Sequence, residues 1–118
     1  MSERDVLFLL EDMMDAALKI RRYTEDMDFE SFLKDDKTID AVVRNFEIAG
    51  EAASRIDPDF KATHPEIEWK RIRGFRNRLV HDYFGVDYEI VWSIIENNLQ
   101  DLIDQLNNLL DQLKSKDR

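Results

Sequence analysis

Apolar residues recur at spacings of three and four through almost the whole chain, the pattern typical of amphipathic helices. Only three glycines and two prolines interrupt this pattern, which leaves little of the punctuation that strands and tight turns need. The sequence therefore predicts an all-α protein, an up-and-down antiparallel bundle of four to five helices. We expect one domain over residues 1–118, because neither an internal repeat nor a change of composition divides the chain.

The first helix is predicted to begin after Ser2. The Ser2 hydroxyl can cap the first turn, and Asp5 stands three residues later, as in a capping box. The buried stripe of this helix is expected to consist of Val6, Leu10, Met13, Ala17 and Ile20. A polar connection follows, in which Phe29, Phe32 and Leu33 are predicted to form one short helical turn that packs onto the core.

The next long helix is predicted from about Thr38 to Ile56 and is apolar on two sides, which suggests a central position. One stripe contains Ile39, Val42, Val43, Phe46, Gly50 and Ala53, and Ala41, Ile48 and Ala52 lie nearly opposite. Glycine costs a helix roughly 1 kcal/mol relative to alanine, so Gly50 predicts a close crossing with another helix. Pro58 and Pro65 are expected to bracket a loop before a further helix that starts near Trp69.

The C-terminal part shows the most regular pattern. Its apolar residues alternate steps of three and four, and they are Trp92, Ile95, Leu99, Leu102, Leu106, Leu109 and Leu113, widened by Val91, Ile103 and Leu110. A single helix of nearly thirty residues, about 40 Å long, is predicted here. We expect the seam to belong to the core of one chain, and a coiled coil between two chains is the alternative.

Composition restricts the environment and the partners. The chain has no cysteine, which fits a reducing compartment, and the cytoplasm is the expected location. Its N-terminus is acidic where a secretion signal needs basic residues, and no apolar run is long enough to cross a membrane. The formal net charge of −9 argues against general affinity for nucleic acid. Any binding of nucleic acid must be local.

Positive charge is concentrated in one segment, EWKRIRGFRNRLVHDYF, residues 68–84. It holds six basic side chains when His81 is counted, and no acid stands between Glu68 and Asp82. On a continuous helix, Ile72, Leu79 and Tyr83 would form the core stripe, with Arg76 about 40° from its centre and His81 on the outer face. Residues five apart differ by about 140° around a helix, so one helix would not bring Arg76 and His81 to one phosphate. Two copies facing each other across a two-fold axis would.

The same residues carry a resemblance to a known family. Arg76, followed by four residues that begin with Asn77, then His81, Asp82 and Tyr83, resembles the Arg-x-x-x-x-His-x-Tyr signature of HEPN-domain proteins, specifically the HepT toxins. The flanks are similar too, since Gly50, Glu51 and Ala52 match a Gly-Glu-Ala element and VDYEIVW from Val86 resembles the segment after the histidine. One departure is that Pro65 stands four residues before Trp69, where the family usually has an adjacent proline.

The resemblance implies a metal-independent ribonuclease that acts as the toxin of a toxin-antitoxin pair, with RNA, for example tRNA, as its substrate. His81 would be the general acid or base, Arg76 would bind the scissile phosphate, and Asn77 would orient either of them. Lys70, Arg73 and Arg78 would contact the RNA backbone. Neither a metal nor a cofactor is expected.

The resemblance also implies a partner. A minimal nucleotidyltransferase antitoxin would transfer AMP to Tyr83 and so add bulk and negative charge two residues from His81. A homodimer is expected, because the arginine and histidine of two copies could then line one cleft.

Simpler interpretations remain open for each feature. The basic run is also compatible with a solvated face, His81 with a favourable charge at a helix C-terminus, and Tyr83 with a plain core residue. Arg76 could be a structural partner of Glu47 or Glu51. His64, beside Pro65, is expected at the surface. The alternative function is a non-catalytic HEPN module that binds nucleotide or a partner nucleotidyltransferase.

Overall fold

Two long helices packed side by side form the centre of the molecule. The computed structural model describes residues 1–75, 80–81 and 85–116. Within these ranges the elements are α1 Glu3–Thr24, α2 Phe29–Leu33, α3 Asp36–Arg55, α4 Pro58–Thr63, α5 Trp69–Arg73, β1 Val80–His81, β2 Gly85–Val86, α6 Tyr88–Asn97 and α7 Leu99–Lys116. Helix α1 packs along α3, α7 lies against α1, and α5 lies against α3. The predicted all-α class is confirmed, and the seven helices of the described ranges exceed the expected four to five because three of them are short.

The core runs through all the long helices. Its fully buried large side chains include Leu10, Met13, Ile20, Phe32, Phe46, Ile72, Leu106 and Leu109. Aromatic pairs join the layers, since Phe32 lies 5.2 Å from Trp92 and Phe46 lies 4.9 Å from Phe75 between ring centroids. The predicted stripe of α1 is buried at every position.

The start of α1 follows the predicted capping box. The Asp5 backbone N–H donates to the Ser2 hydroxyl at 3.1 Å, and the Ser2 N–H donates to the Asp5 carboxylate at 3.3 Å. The short helical turn predicted around Phe29 is α2, capped by Asp28. Helix α3 begins two residues before the predicted Thr38, because the Asp35 carboxylate accepts the Thr38 N–H and so caps it.

The close crossing predicted at Gly50 is confirmed. A Cβ atom placed on Gly50 would lie 2.9 Å from the backbone carbonyl oxygen of Ile72 in α5, closer than real Cβ contacts allow. The absence of a side chain at this position therefore sets how near α5 lies to α3.

The prediction of a loop between Pro58 and Pro65 is wrong for residues 58–63. Residues Pro58–Thr63 form α4, with Asp57 as the N-cap and Pro58 in the first helical turn. Proline is well suited to that position, because its missing N–H would have no helical partner there. The same residue that suggested a loop thus begins a helix.

The prediction of a single C-terminal helix of nearly thirty residues is also wrong. The chain forms α6 of 10 residues and α7 of 18 residues, with a break at Asn98, whose φ and ψ are −125° and −28°. Hydrogen bonds continue on both sides, from Asn98 N–H to Ile94 and from Leu102 N–H to Asn98. The apolar seam is largely buried within the chain, as predicted for an intramolecular core.

The basic segment does not continue as one helix to Phe84. Gly74 caps α5, and His81 lies in the two-residue strand β1, where its backbone pairs with Gly85 of β2. Gly85 has a φ of +79°, the left-handed conformation that glycine adopts without strain. The helical wheel that placed His81 on an outer face therefore does not describe its backbone.

None of the helices in the described ranges has both the length and the apolar character of a membrane span.

Candidate functional site

Helix α5 holds basic side chains outward on a buried base. Trp69 and Ile72 are buried, whereas Lys70, Arg71 and Arg73 are exposed. The Trp69 indole N–H donates to the backbone carbonyl of His64 at 2.9 Å, which ties the start of α5 to the end of α4. Because Trp69 and Ile72 occupy the face of α5 that packs on the core, the basic side chains on the other face are exposed to solvent.

The crossing at Gly50 brings two parts of the sequence resemblance together. Gly50 lies against the backbone of Ile72 in α5. The next two residues of α3 differ in burial, since Glu51 is exposed and Ala52 is buried. The Gly-Glu-Ala element is therefore part of the contact between α3 and α5. Its glycine has a packing role that does not depend on catalysis.

The three exposed cations of α5 differ in their partners. Arg71 donates to the Glu68 carboxylate at 2.7 Å. Within the described ranges, Lys70 and Arg73 form no ion pair. Of the predicted RNA-binding residues, Lys70 and Arg73 are thus the ones that the structure shows exposed and uncompensated.

Lys61 is a cation that the sequence interpretation missed. It lies in α4, which packs onto α5 through Phe60, whose ring centroid is 6.5 Å from that of Trp69. Partial burial and the nearby charge of Arg73 both lower the pKa of Lys61. The signal was available in the Asp57-Pro58 helix start, which places Lys61 in the turn that follows.

Of the residues of the Arg-x-x-x-x-His-x-Tyr signature, the structure describes only the backbone of His81 and of Val80 before it. The backbone of His81 is anchored by its pairing with Gly85, and Val80 pairs with Val86. The side chain of His81 lies outside what the structure describes. Arg76, Asn77, Arg78 and Tyr83 also lie outside the described residues, and so does the suggested pairing of Arg76 with Glu47 or Glu51.

Two surface depressions flank α5 and differ in charge. A cleft of about 310 Å³ on the Arg71 side carries the carboxylates of Glu66, Glu68 and Asp101 over an apolar floor. A groove of about 520 Å³ on the other side, between α1, α3 and α5, includes Arg73. The remaining residues of that groove are Leu9, Asp12, Arg44, Glu47, Ile48, Gly50, Glu51, Ala52, Ser54 and Arg55. The acidic cleft disfavours a polyanion, so the Arg73 side is the better path for one.

His64 is half-buried rather than freely exposed. Its ring centroid is 4.5 Å from that of Phe60, and its Nδ1 is 3.3 Å from a Glu66 carboxylate oxygen. Among the described residues, histidine and carboxylate side chains nowhere form a cluster of three or more suited to a metal ion. His64 therefore has a packing role in the α4–α5 connection.

Comparison with known proteins places the chain in a family. The family model described as "Ribonuclease HepT-like" matches residues 13–109. A Methanocaldococcus jannaschii protein provisionally named as an RNase is 36% identical over 117 residues, which cover 99% of this chain and 97% of that protein. A Thermococcus cleftensis protein named "Probable ribonuclease HepT" is 43% identical over 93 residues, 79% of this chain and 84% of that protein. No solved structure matches the chain significantly.

The matched range includes the whole segment from Arg76 to Tyr83, together with α5 and the crossing at Gly50. The helical architecture agrees with the expectation drawn from the motif. The chain belongs to the HepT-like ribonuclease family.

Proposed function

We propose that the protein is a metal-independent endoribonuclease that acts as the toxin of a toxin-antitoxin pair in the cytoplasm. The family match carries this proposal, because it spans residues 13–109 and so includes the complete signature of Arg76, His81 and Tyr83. The exposed cations Lys70 and Arg73 of α5 support it, because they stand directly before the signature and form no ion pair among the described residues.

The proposed reaction needs a base, an acid and a donor to the phosphate. A base removes the proton of the RNA 2′-hydroxyl, whose oxygen attacks the adjacent phosphorus, and an acid returns a proton to the leaving 5′-oxygen. His81 serves as general acid or base, because its imidazole titrates near neutral pH. Arg76 binds the non-bridging oxygens through its guanidinium fork, and Asn77 orients His81 or the phosphate.

The backbone at His81 changes the geometric argument for this pair. The separation of about 140° holds for a continuous helix, whereas His81 lies in β1 and is held by Gly85. Helix geometry alone therefore does not keep Arg76 and His81 of one chain apart. A cleft between two copies remains part of the proposal, because it would surround an RNA strand with positive charge from both chains.

RNA approaches along the Arg73 side of α5 in this proposal. Lys70, Arg73 and Arg78 contact the backbone phosphates, and Lys61 extends the track onto α4. The positive charge of Arg73 acts on Lys61 and lowers its pKa. Binding of an anionic phosphate to both side chains is favoured, because its negative charge relieves their mutual repulsion. The acidic cleft beside Arg71 repels the RNA strand, so the strand follows the Arg73 side of α5.

Control by a partner completes the proposal. A nucleotidyltransferase antitoxin transfers AMP from ATP to the hydroxyl of Tyr83: the tyrosyl oxygen bonds to the α-phosphorus, pyrophosphate leaves and the hydroxyl proton is released. Tyr83 falls in the sequence between the two strands of the hairpin that holds His81. The added phosphate is negative and bulky, so it competes with the RNA phosphate for the same cations.

The experiment is cleavage of a labelled tRNA pool in EDTA by wild type, His81→Ala and Arg76→Ala. The preparation is first shown by mass spectrometry to carry no AMP on Tyr83. Lys34→Ala, in an exposed position at the end of α2, is the matched control. We expect cleavage by wild type and control and a loss of about 100-fold or more in the two motif variants.

The outcomes separate the alternatives. Equal cleavage by all four proteins would identify a contaminating nuclease. No cleavage by any of them, together with nucleotide or nucleotidyltransferase binding that His81→Ala leaves unchanged, would replace the enzyme with the non-catalytic HEPN module.

A further inference from the structure

The acidic cleft beside α5 is part of a longer surface. It adjoins a second depression of about 420 Å³, because Arg71, Ile94 and Asn98 line both. The two depressions together border the break between α6 and α7 at Asn98. We name this continuous surface the Arg71 furrow.

The rim of the Arg71 furrow is strongly negative. Its carboxylates, from both depressions, are those of Glu66, Glu68, Asp87, Glu89 and Asp101. Against these five, the described residues that line the furrow supply one guanidinium, that of Arg71, which already pairs with Glu68 at 2.7 Å. Glu89 and Asp101 are exposed and form no ion pair with any residue that the structure describes. Their charges are therefore available to a cation.

The floor of the Arg71 furrow is apolar. Phe46 and Ile72 are buried beneath the cleft, and Leu102 of α7 lines it and is half-buried. Ile90 of α6 is likewise half-buried in the second depression. An apolar side chain seated on these residues would leave water, whereas a purely ionic ligand would gain nothing from them.

Solubility is the simpler explanation of an acidic surface. The chain carries a net charge of −9, and a charged face needs no partner to keep a protein in solution. That explanation accounts for the carboxylates of the rim. It does not account for the apolar depression that the carboxylates surround.

We propose that the Arg71 furrow binds a linear basic segment of a partner protein, with one large apolar side chain in the cleft and lysines or arginines on both sides of it. Charge complementarity identifies the occupant, because carboxylates border the cleft and continue into the second depression. The size of the cleft, about 310 Å³, is near the lower limit for ligand sites and suits a single side chain. Two adjoining depressions fit an extended chain better than a compact cation.

The position of the furrow leaves the proposed RNA track open. Arg73 lines the groove on the other side of α5, so a segment bound in the Arg71 furrow would not cover it. The bound lysines or arginines would also cancel part of the negative charge that repels RNA on the Arg71 side. The inference thus goes beyond the proposed function and does not depend on it.

Synthetic peptides test the chemistry of the occupant. The probe is KKGFGKK with both ends blocked, and the comparison peptides are KKGSGKK, which lacks the apolar side chain, and EEGFGEE, which reverses the charge. Amide chemical shifts of isotope-labelled protein report where each peptide binds and how tightly. We expect KKGFGKK to shift the amides of Asn98, Asp101 and Leu102 saturably. It should bind about tenfold more tightly than KKGSGKK, and EEGFGEE should not bind.

Protein variants test the rim. Asp101→Asn combined with Glu89→Gln removes two charges of the furrow, and exposed Asp111→Asn combined with Glu30→Gln is the control with the same net charge. We expect KKGFGKK to bind the furrow variant roughly fivefold or more weakly than wild type, and the control variant within about twofold of wild type. Asp101 and Glu89 lie in the first turns of α7 and α6, so circular dichroism is used to establish that both variants are folded.

Three results would overturn the inference. KKGSGKK could bind as tightly as KKGFGKK, the furrow and control variants could bind alike, or the shifts could spread over the acidic surface without saturation. Each of these would leave the carboxylates with a role in solubility only.

Spermidine, a small cation without an apolar side chain, is the last probe. Equal affinity of spermidine and KKGFGKK at the same amides would identify a small polyamine as the occupant and so overturn the inference. Clearly weaker binding of spermidine would support a protein segment. None of these measurements contains RNA, so their outcome is separate from that of the nuclease experiment.

Discussion

At the scale of single residues, small differences in contact decide which interpretation of a motif holds. Gly50 matches a family element, yet its lack of a Cβ is already explained by the carbonyl of Ile72 at 2.9 Å from where that atom would lie. Among the basic residues of α5, Arg71 pairs with Glu68, whereas Lys70 and Arg73 form no ion pair with any residue in the part of the chain that the structure describes. Packing and ion pairing thus divide residues that look equivalent in the sequence.

Gly50→Ala is expected to lower the free energy of unfolding by up to about 2 kcal/mol. Alanine gains roughly 1 kcal/mol of helix propensity, but the new methyl group meets a backbone carbonyl that moves only with the whole of α5, and overpacking of this kind costs about 1–3 kcal/mol. Urea denaturation measures the change. Ser54→Ala, exposed in the same helix, is the control and should shift stability by no more than about 0.5 kcal/mol. An increase in stability for Gly50→Ala would show that the crossing is looser than described.

Lys61→Gln tests the proposed RNA track at a residue outside the signature. In a His81→Ala background, which is expected to bind RNA without cutting it, the logarithm of affinity for a single-stranded oligonucleotide should fall less steeply with the logarithm of salt concentration. One lost phosphate contact reduces the slope by about 0.7. Lys34→Gln should leave the slope unchanged. Binding with equal slopes in both variants would remove Lys61 from the track, and no binding at all would count against the nuclease itself.

At the scale of elements, short polar signals decide where helices begin. Side chains of Ser2, Asp28, Asp35, Asp57 and Asp87 each accept a backbone N–H at the start of a helix. One such cap also explains a prediction that failed. Asp57 and Pro58 start α4 where a loop was expected.

The cap of α3 predicts a dependence of stability on pH. Hydrogen bonds from Thr38, above all from its backbone N–H and then from its side chain, lower the pKa of Asp35 below its ordinary value. The folded pKa is the lower one, so the contribution of Asp35 to stability is complete above about pH 4 and is lost as the pH falls through the folded pKa. Asp35→Ala should therefore melt several degrees below wild type at pH 7, and the difference should shrink below pH 4.

Melting curves recorded from about pH 2.5 to about pH 7 check this expectation, because that range includes the ordinary carboxyl pKa. Asp111→Ala, exposed within α7, serves as the control. A gap between Asp35→Ala and wild type that persists unchanged at the lowest pH would show that the carboxylate charge is not what stabilises the cap.

At the scale of the whole molecule, the apolar seam of α7 is buried within one chain and packs against the rest of the bundle. Leu106 and Leu109 are fully buried, and α7 packs on α1. A dimeric coiled coil through the same seam would need these side chains exposed in the single chain.

Leu106→Ala is expected to lower the free energy of unfolding by about 3 kcal/mol, through lost burial and the cavity left behind. The loss should be the same at low and high protein concentration, because the seam is buried within one chain. Urea denaturation at two protein concentrations measures it, with exposed Asn107→Ala as the control. A loss that depends on protein concentration would point to a seam shared between chains.

Local rules written in the sequence determined the helical class, the buried stripes, the first cap, the glycine crossing and the segment that carries the family signature. Each of these depends on residues within one or two turns of each other, so spacing alone predicts them. The break at Asn98 was decided by the tertiary structure, because packing between segments selects among conformations that the local pattern permits almost equally. The helix at Pro58 and the strand backbone of His81 depend on nearby residues, Asp57 and Gly85, whose effect the spacing of apolar residues does not show.

Tertiary structure also decided which charges are free. Nothing in the spacing of Arg71 and Arg73 shows that Arg71 is paired with Glu68 and that the charge of Arg73 acts on Lys61. The charge order on α3 can be read from the sequence, but only the fold shows that Asp40, Arg44, Glu51 and Arg55 are exposed and form no ion pair with another residue that the structure describes. Electrostatic partners depend on distances between segments, and those distances exist only after the chain has folded.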